Sequence, residues 1–376
     1  MKRRIKILIY LYYPFYDNHL AGGVQVWLRN LIESIVRSHK QINIKIICPD
    51  GKGYKFPSDI DVEHTLVDME RDFLEPKVIY QNLQKIKDLE KEADIIWLID
   101  RNFPVQSDKP KLLSLNTLCY EREAMSIYQS SWDNLVVLSN FVKNQIINYI
   151  DKPKNVFTIP CYVDPIFLKI NKDKEKILGK YFSYNPKLKY LLFPHRADSS
   201  KGHLMAIDIL KKIIEIDDNY RLLIPEPSLA KYVNVSRERE YIKSLKKYVK
   251  RQGLGEFVIF HKWISYSDIP TYYSIGECTL FLSKLPETFG ITLLNSISVG
   301  TPVLSYGVGA LNEVVPPGKG HVNIRTEGDA VSHILEGRMG RGIAHDKKYV
   351  IKNYVLEEVV DKYVKLFYQM MERKNE

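Results

Sequence analysis

Short apolar segments alternate with longer amphipathic ones along the chain, and this alternation most constrains the fold. In the first half, five apolar runs are predicted to be strands: Ile5–Tyr13, Ile42–Cys48, Asp94–Ile99, Lys111–Leu115 and Leu135–Leu138. Helical spacing predicts three helices between them: Val24–His39, Val78–Lys91 and Phe141–Ile150. Strands that alternate with helices predict an open, mostly parallel sheet with helices on both faces.

The same alternation restarts in the second half. Five further strands are predicted: Tyr190–Phe193, Arg221–Ile224, Phe257–Phe260, Cys278–Leu282 and Pro302–Ser305. Three further helices are predicted: Leu204–Ile214, Tyr241–Val249 and Thr288–Val299. Because 376 residues suffice for two domains, we expect two doubly wound α/β domains, residues 1–164 and 165–355. A last helix, Leu356–Met371, has no strand after it.

The net charge of +10 is unevenly distributed. Residues 1–164 carry 22 Lys and Arg against 21 Asp and Glu, so the basic excess lies in the second half. Such an excess attracts nucleic acid, membranes or phosphorylated ligands, although a solvated lysine-rich surface also explains most of it. No nucleic-acid-binding motif is present, so we expect no nucleic-acid partner.

Several classes of protein are disfavoured by the sequence. It has no apolar run of about 18 residues, which a membrane-spanning helix needs. The basic N-terminus is followed by a strand-like segment rather than by a signal sequence, so we expect a cytoplasmic protein. The four cysteines are far apart and are predicted to be buried thiols. The histidines show no metal-ligand spacing, so we expect no structural zinc site.

The segment from Leu285 to Ser305 contains the most informative motif. Glu287 follows a predicted strand, and a helix is predicted to open at Thr288-Phe289-Gly290. Free N–H groups and the dipole at a helix N-terminus can hold an anion, and a neighbouring carboxylate can accept hydrogen bonds from sugar hydroxyls. This combination favours a site for a phosphorylated sugar.

A second motif follows the first strand of the second half. Arg196 and Lys201 lie five residues apart, directly before Gly202. Arginine forms a planar bidentate clamp and lysine supplies a mobile point charge, so the pair suits a diphosphate. In the first half, Gly22-Gly23 precedes a helix, where glycine lets the backbone approach a phosphate.

These motifs, in this order, resemble the family-4 retaining nucleotide-sugar glycosyltransferases. The family pattern has a Glu, seven residues, a second Glu and then Gly-Thr-Pro-Val, and Glu287 and Gly300-Thr-Pro-Val303 match it. The segment from Arg196 to Gly202 resembles the family's Gly-Arg-x(4)-Lys-Gly. The resemblance implies the GT-B fold, two Rossmann-like domains facing across a cleft, with the last helix crossing back onto the first domain.

The resemblance also implies roles for individual residues. Arg196 and Lys201 would stabilise the leaving diphosphate, and Glu287 would hold hydroxyls of the donor sugar. The backbone N–H groups of Phe289, Gly290 and Ile291 would complete the sugar and phosphate contacts. Further donor contacts would come from Gly22, Gly23, Trp263 and Ile264. Trp263 could stack on the base or pack in the core, and the sequence leaves both open.

Three positions depart from the family pattern. Asn295 replaces the second Glu, which accepts hydrogen bonds from the ribose. Asn116 stands where the family presents a His near the reacting sugar, and it can form hydrogen bonds but cannot titrate. His195 stands where the family has Gly, so it either narrows the pocket or indicates a different local alignment. Glu313, in a family-like loop, is predicted to be structural.

The resemblance therefore predicts a metal-independent hexosyltransferase-like enzyme that transfers a sugar from a nucleoside diphosphate to a glycan or small-molecule hydroxyl, with retention. The acceptor is predicted to be bound by the first domain, by loops Leu11–Leu20 and Cys119–Ser131, and not to be a membrane component. Two alternatives stay open. One is a catalytically silent GT-B protein that binds a glycan or supports a partner enzyme. The other is a GT-B epimerase or phosphorylase.

Overall fold

The chain forms two compact units in a computed structural model. The structure describes residues 4–11, 23–49, 55–58, 60–63, 76–101, 103, 105–116, 127–128, 132–151, 153–227, 236–318, 320–337 and 343–373. The described residues up to Cys161, together with those from Leu356 onward, form the first unit. The second unit is Tyr162–Val355. Both units have parallel sheets and helices, so the predicted α/β class is confirmed.

The first unit contains a seven-stranded sheet in the order β3-β2-β1-β4-β5-β6-β7, in which every pair of neighbours is parallel. Its strands are β1 (Ile5–Tyr10), β2 (Ile42–Ile47), β3 (Ile60–Glu63), β4 (Ile95–Ile99), β5 (Lys111–Leu115), β6 (Asn134–Val137) and β7 (Val156–Thr158). All residues of β4, β5 and β6 are buried, which is why the sequences of these strands are mostly apolar, and that of β4 entirely so.

Within the described residues, the helices that accompany this sheet along the chain include α1 (Gly23–Ser38), α2 (Pro76–Glu92) and α3 (Asn140–Ile146). The two edge strands, β3 and β7, were not predicted from the sequence. β3 has only two apolar residues in four, and β7 has only three residues. An edge strand has a neighbour on one side only, so it needs less apolar sequence than a central strand.

The second unit contains a six-stranded parallel sheet in the order β10-β9-β8-β11-β12-β13. Its strands are β8 (Lys189–Leu192), β9 (Tyr220–Pro225), β10 (Val258–His261), β11 (Gly276–Phe281), β12 (Val303–Ser305) and β13 (His321–Asn323). Its helices are α4 (Lys174–Leu178), α5 (His203–Ile214), α6 (Ser236–Arg251), α7 (Ile269–Tyr273), α8 (Ile291–Val299), α9 (Leu311–Val314), α10 (Glu327–Leu335) and α11 (Ile343–Asn353).

Helix α8 begins three residues later than predicted. Its N-cap is Gly290, which has a φ of +97°, a left-handed conformation that ends helical geometry on its N-terminal side. A Cβ at Gly290 would also collide with the side chain of Leu311. Thr288 and Phe289 are therefore in a loop and do not form the first turn of the helix.

The final helix, α12 (Leu356–Arg373), packs on the first unit. The ring of Trp97 on β4 lies 5.0 Å from that of Tyr363 and 5.4 Å from that of Phe367, measured between centroids. All three side chains are buried. Among the helices of the described residues, none is long and apolar enough to cross a membrane.

Each sheet has one point where the strand order reverses. In the first unit this point lies between β1 and β4, and in the second between β8 and β11. Loops that leave two such strands diverge to opposite faces of the sheet, so a crevice opens at their carboxyl ends, where ligands of this class of fold bind. The segments that follow β8, β11 and β4 are therefore the places to look for chemistry.

Candidate functional site

The segment after β8 is shaped so that Lys201 lies at the carboxyl edge of the sheet. The Asp198 carboxylate accepts hydrogen bonds from the Ser200 backbone N–H, at 2.9 Å, and from the Ser200 hydroxyl, at 2.7 Å, and so caps the turn Ser199–Lys201. Gly202 follows with a φ of +89°, and a Cβ there would lie 2.8 Å from the Leu282 oxygen. Glycine thus allows the turn to pack directly on the end of β11.

The segment after β11 presents Glu287 at the same edge. Its backbone forms an isolated parallel bridge with Gly309, and the Ala310 N–H donates to the Glu287 carbonyl at 2.8 Å. A Cβ at Gly309 would overlap the backbone nitrogen and oxygen of Glu287. Only glycine therefore permits this approach, and the loop after β12 fixes the height of Glu287 above the sheet.

Lys201 and Glu287 form an ion pair across the reversal point between β8 and β11. The distance from Lys201 Nζ to Glu287 Oε1 is 2.7 Å, and the two side chains are 25% and 20% exposed. The pair is therefore partly desolvated but still open to a ligand. A cation and a carboxylate at this place can hold a diphosphate and the hydroxyls of a sugar, respectively.

Arg196 lies in the same segment but has different partners. Its guanidinium is 3.4 Å from Asp198 Oδ2 and 3.6 Å from Glu238 Oε1 on α6, and the side chain is 56% exposed. Burial raises the pKa of Asp198, but the hydrogen bonds from Ser200 and the charges of Arg196 and Lys201 outweigh it and leave that pKa lowered. Arg196 and Lys201 are thus each held by different carboxylates, Arg196 by Asp198 and Glu238 and Lys201 by Glu287.

His195 does not narrow a pocket. Its side chain is buried, its Nε2 lies 3.1 Å from the Leu280 carbonyl oxygen, and its ring packs between those of Phe193 and Phe281. Burial, reinforced by the charge of Lys201, lowers the pKa of His195 to about 3. It is a neutral core residue beneath the site, so the first of the two interpretations offered by the sequence is wrong.

Six of the predicted nucleotide-binding residues lie on two segments of the second unit, the loop after β10 and the segment that follows Glu287. Trp263 is half-buried and Ile264 is buried in the loop after β10, and this loop is fixed by Asp268 and Ser265, which bind the Tyr181 hydroxyl at 2.8 Å each. The half-burial of Trp263 leaves one part of its ring in contact with solvent. Stacking on a base remains a prediction.

Phe289, Gly290, Ile291 and Asn295 follow Glu287 in the order the sequence predicted. The Phe289 side chain is buried against the Tyr354 ring, at 5.7 Å between centroids, so only its backbone can serve a ligand. Ile291 is the first residue of α8. Asn295 is partly buried one turn further along that helix, and its ribose contact remains a prediction.

In the first unit, Asn116 directly follows β5 and is buried. Its backbone N–H donates to Asp100 Oδ1 at 2.7 Å, and its side-chain amide donates to Asp100 Oδ2 at 3.1 Å. Gly23 begins α1, whereas Gly22 and almost all of the predicted acceptor loops lie outside the described residues.

Sequence reasoning missed two residues that organise these sites, Asp100 and Gly309. Asp100 could have been predicted from the sequence, because it is a carboxylate placed immediately after a predicted strand. Gly309 lies in a loop that the sequence related to the family, but nothing in the sequence shows that it contacts the backbone of Glu287. In the described parts of the chain, no three His, Cys, Asp or Glu side chains are grouped so that they could hold a metal ion.

Comparison with solved structures identifies the fold. The chain aligns with sucrose-phosphate synthase from Thermosynechococcus elongatus with a TM-score of 0.78 and 16% sequence identity, over 98% of this chain and 100% of that one. It aligns with Anabaena HepE, solved in complex with UDP-glucose, with a TM-score of 0.73 and 14% identity, over 97% and 100% of the two chains. The chain has the GT-B fold. The architecture that the sequence predicted is thereby confirmed.

Sequence comparisons agree with the GT-B assignment. Residues 174–334 match the family model for glycosyl transferases group 1, and this range includes Arg196, Lys201 and Glu287. An uncharacterized glycosyltransferase of Methanocaldococcus jannaschii is 20% identical over 331 residues, which is 80% of this chain and 80% of that protein. The subdivision into family 4 is compatible with these matches and remains a prediction.

Proposed function

We propose that this GT-B protein transfers a sugar from a nucleoside diphosphate to a hydroxyl acceptor, with retention of the anomeric configuration. The observation that carries the proposal is the Lys201–Glu287 ion pair, which bridges the strand-order reversal of the second unit. The pair lies inside the range that matches the group 1 glycosyltransferase model. A cation and a carboxylate in that place are the two groups that a phosphorylated sugar donor needs.

The ion pair defines what a donor must exchange. When the donor binds, its diphosphate takes the place of Glu287 as the anion facing the Lys201 ammonium. The Glu287 carboxylate then accepts hydrogen bonds from sugar hydroxyls in place of the lysine. After the exchange, Lys201 faces the diphosphate and Glu287 accepts hydrogen bonds from the sugar. Neither of these partly buried charges is left without a partner.

Catalysis would come mainly from electrostatic stabilisation of the leaving group. Negative charge grows on the diphosphate as the bond to the anomeric carbon breaks, and Lys201 is held in place to meet that charge. Arg196 would join it after exchanging Asp198 or Glu238 for a phosphate oxygen. Since these two side chains supply positive charge at the diphosphate, we expect transfer to persist in the presence of EDTA.

A nucleotide donor is supported by the structural neighbour HepE, which was solved with UDP-glucose. The proposal gives the second unit the donor and leaves the hydroxyl acceptor, a glycan or a small molecule, to the first unit. Asn116 would contact the reacting sugar through hydrogen bonds, as the sequence resemblance implies.

The proposal is tested by incubating the purified full chain with UDP-, GDP- and ADP-sugars in EDTA, with and without sugar acceptors. Release of nucleoside diphosphate is followed by ³¹P NMR, and the anomeric configuration of the product by ¹H NMR coupling. We expect release from at least one donor and a product with the configuration of that donor. An inverted product would contradict retention, and the absence of release from every donor would contradict an enzymatic role.

A non-catalytic donor-binding protein is the second candidate. It is favoured by the two carboxylates that hold Arg196 and by Asn295, which stands where the family resemblance expects a carboxylate. With the same donors, such a protein would bind a nucleotide sugar in calorimetry and would leave it intact in the ³¹P NMR assay.

A further inference from the structure

Asp100 adopts a strained backbone conformation immediately after β4. Its φ is +60°, and it is the only residue other than glycine with a positive φ in the described part of the chain. The Arg101 N–H donates to the Ile99 carbonyl at 2.8 Å, which closes a three-residue γ-turn around Asp100. Turns of this hand are rare and strained in L-amino acids. Such strain persists where the surrounding structure holds it, and it is concentrated at functional sites.

The strained turn aims the Asp100 carboxylate at Asn116. β4 is one of the two strands at the reversal point of the first sheet, and β5, which precedes Asn116, is its parallel neighbour. Both carboxylate oxygens of Asp100 accept a hydrogen bond from Asn116, one from its backbone N–H and one from its side-chain amide. Asp100 is 3% exposed and Asn116 is 6% exposed, so water competes little for these bonds.

The contact fixes which way round the Asn116 amide lies. An ionised carboxylate only accepts hydrogen bonds, so the atom that faces Asp100 must be the NH2 group. The carbonyl oxygen of Asn116 then lies in the same amide plane, on the side of the group that faces away from Asp100. An amide without such a partner could turn over and exchange donor for acceptor.

The surroundings are consistent with an ionised Asp100. A backbone N–H that donates to a carboxylate favours its charged form. Burial and the negative charge of Asp100 together raise the pKa of the neighbouring Cys161 thiol well above its usual value. The Cys161 thiol therefore stays neutral.

We propose that Asp100 is a positioning residue that locks the Asn116 amide so that its carbonyl oxygen, and not its NH2 group, accepts a hydrogen bond from a sugar hydroxyl during transfer. The inference rests on the proposed function, in which Asn116 contacts the reacting sugar. It gives a physical reason why an asparagine can stand in a position where the resembling family has a histidine. In a neutral histidine, the tautomer decides which of the two ring nitrogens accepts a hydrogen bond. Here the contact with Asp100 decides which side of the Asn116 amide presents its oxygen.

The test exchanges the two side chains. In Asp100→Asn, an NH2 group faces the Asn116 NH2, and Asn116 must turn over to bond with it. In Asn116→Asp, two carboxylates face each other. The double variant Asp100→Asn with Asn116→Asp restores one donor and one acceptor and again leaves an oxygen on the far side. Asparagine tolerates a positive φ, so the turn itself is retained.

Two measurements are made on the full chain. The first is urea unfolding of the wild type, both single variants and the double variant. We expect both single variants to be destabilised and the double variant to recover most of the loss. Additive losses in the double variant would overturn the proposed orientation, whether or not a donor has been found.

The second measurement is turnover with the donor that the wild type uses. We expect Asp100→Asn to lower kcat about 10-fold or more, with little change in the KM for the donor, because the lost acceptor acts on the reacting sugar. The control is Ser114→Ala, which removes the buried hydrogen bond from Trp97 Nε1 to Ser114 Oγ, 2.8 Å, on the same two strands. Equal kcat in Asp100→Asn and Ser114→Ala would overturn the positioning role. A wild type that turns over no donor would contradict the proposed function instead, and the unfolding cycle would still decide the orientation.

Discussion

Lys201 and Glu287 are 86 residues apart in the chain, and their charged atoms meet at 2.7 Å where the strand order of the second sheet reverses. Each side chain reaches this point because a glycine allows two backbones to come close together. Gly202 lets the segment of Lys201 pack against Leu282, and Gly309 lies against the backbone of Glu287. The ion pair is therefore a product of loop geometry. Changes in that geometry should affect activity through Glu287 and Lys201 even where no charge is altered.

Replacing Gly309 with alanine should displace Glu287. The new Cβ would overlap the Glu287 backbone, so we expect kcat to fall about 10-fold or more, since small misplacements of a positioned group are costly. Gly318→Ala is the matched control, because Gly318 also has a positive φ, +87°, but a Cβ added there would meet no atom within 4 Å. Gly318→Ala should lose about 1–2 kcal/mol of stability from left-handed strain, and Gly309→Ala should lose more because its Cβ also overlaps the Glu287 backbone. Equal kcat in the two variants would show that the Gly309 contact does not position Glu287.

Arg196 should contribute to turnover despite its exposure. Arg196→Ala removes one cation from the leaving diphosphate, and we expect kcat to fall about 100-fold, as for other lost transition-state donors. Arg196→Lys keeps the charge but not the planar fork and should be intermediate. Arg221→Ala, which removes an arginine that donates to the backbone carbonyls of Asp218 and Tyr220, is the control and should keep full activity. Activity of Arg196→Ala equal to that control would remove Arg196 from the site.

Asn295 should limit the affinity for nucleotides. If its side chain faces the ribose, Asn295→Glu adds a charge-assisted acceptor and should tighten nucleoside diphosphate binding by about 1.5–3 kcal/mol in calorimetry. Asn295→Gln has the same length as the glutamate without its charge, so it should not tighten binding. Unchanged binding in both variants would place position 295 away from the ribose.

Buried histidines should make the protein sensitive to acid. Burial lowers the pKa of His195 to about 3 and the pKa values of His203 and His261 to about 4, below the unfolded value of 6.5. At pH values between the folded and the unfolded pKa of each histidine, the unfolded chain binds more protons than the folded chain. The free energy of unfolding that the neutral histidines contribute is therefore present at neutral pH and is lost as the pH falls. Each histidine adds about 1.4 kcal/mol per pH unit to this slope.

The acid sensitivity is measured by urea unfolding at several pH values between about 4.5 and 6.5, the window in which these histidines are protonated only in the unfolded chain. His203→Gln should be less stable than the wild type near neutral pH, and its stability should depend less steeply on pH, by the contribution of one histidine. An unchanged slope would mean that His203 does not titrate on unfolding.

The sequence predicted the sheets better than it predicted the site. Buried central strands such as β4 are apolar on both faces, so their sequences identify them, whereas the edge strand β3 alternates charged and apolar residues. The start of α8 was predicted too early because the sequence does not show which residue of Thr288-Phe289-Gly290 caps the helix. The left-handed conformation of Gly290 and its contact with Leu311 set the start of α8 at Ile291, and both are properties of the folded chain.

The side-chain contacts depend on distances that no local pattern contains. Arg196 and Lys201 lie in one motif, but the structure pairs them with Glu238 and Glu287 on different segments. The sequence left open whether His195 narrows the pocket, whereas the structure buries its ring in the core, with its Nε2 beside the Leu280 carbonyl oxygen. The Asp100 turn is held by tertiary contacts with Asn116 and has no signature in the sequence except a carboxylate after a strand.

The most direct test of the account is the rate of nucleoside diphosphate release by Lys201→Ala, measured with the donor that the wild type uses. The control is Lys212→Ala, which removes a lysine from a more exposed pair with Glu327, at 2.6 Å, in the same unit. We predict that Lys201→Ala is slower than the wild type by at least about 100-fold with little change in melting temperature. Lys212→Ala should match the wild type. A Lys201→Ala variant that releases nucleoside diphosphate as fast as Lys212→Ala would contradict the assignment of the Lys201–Glu287 pair as the donor site.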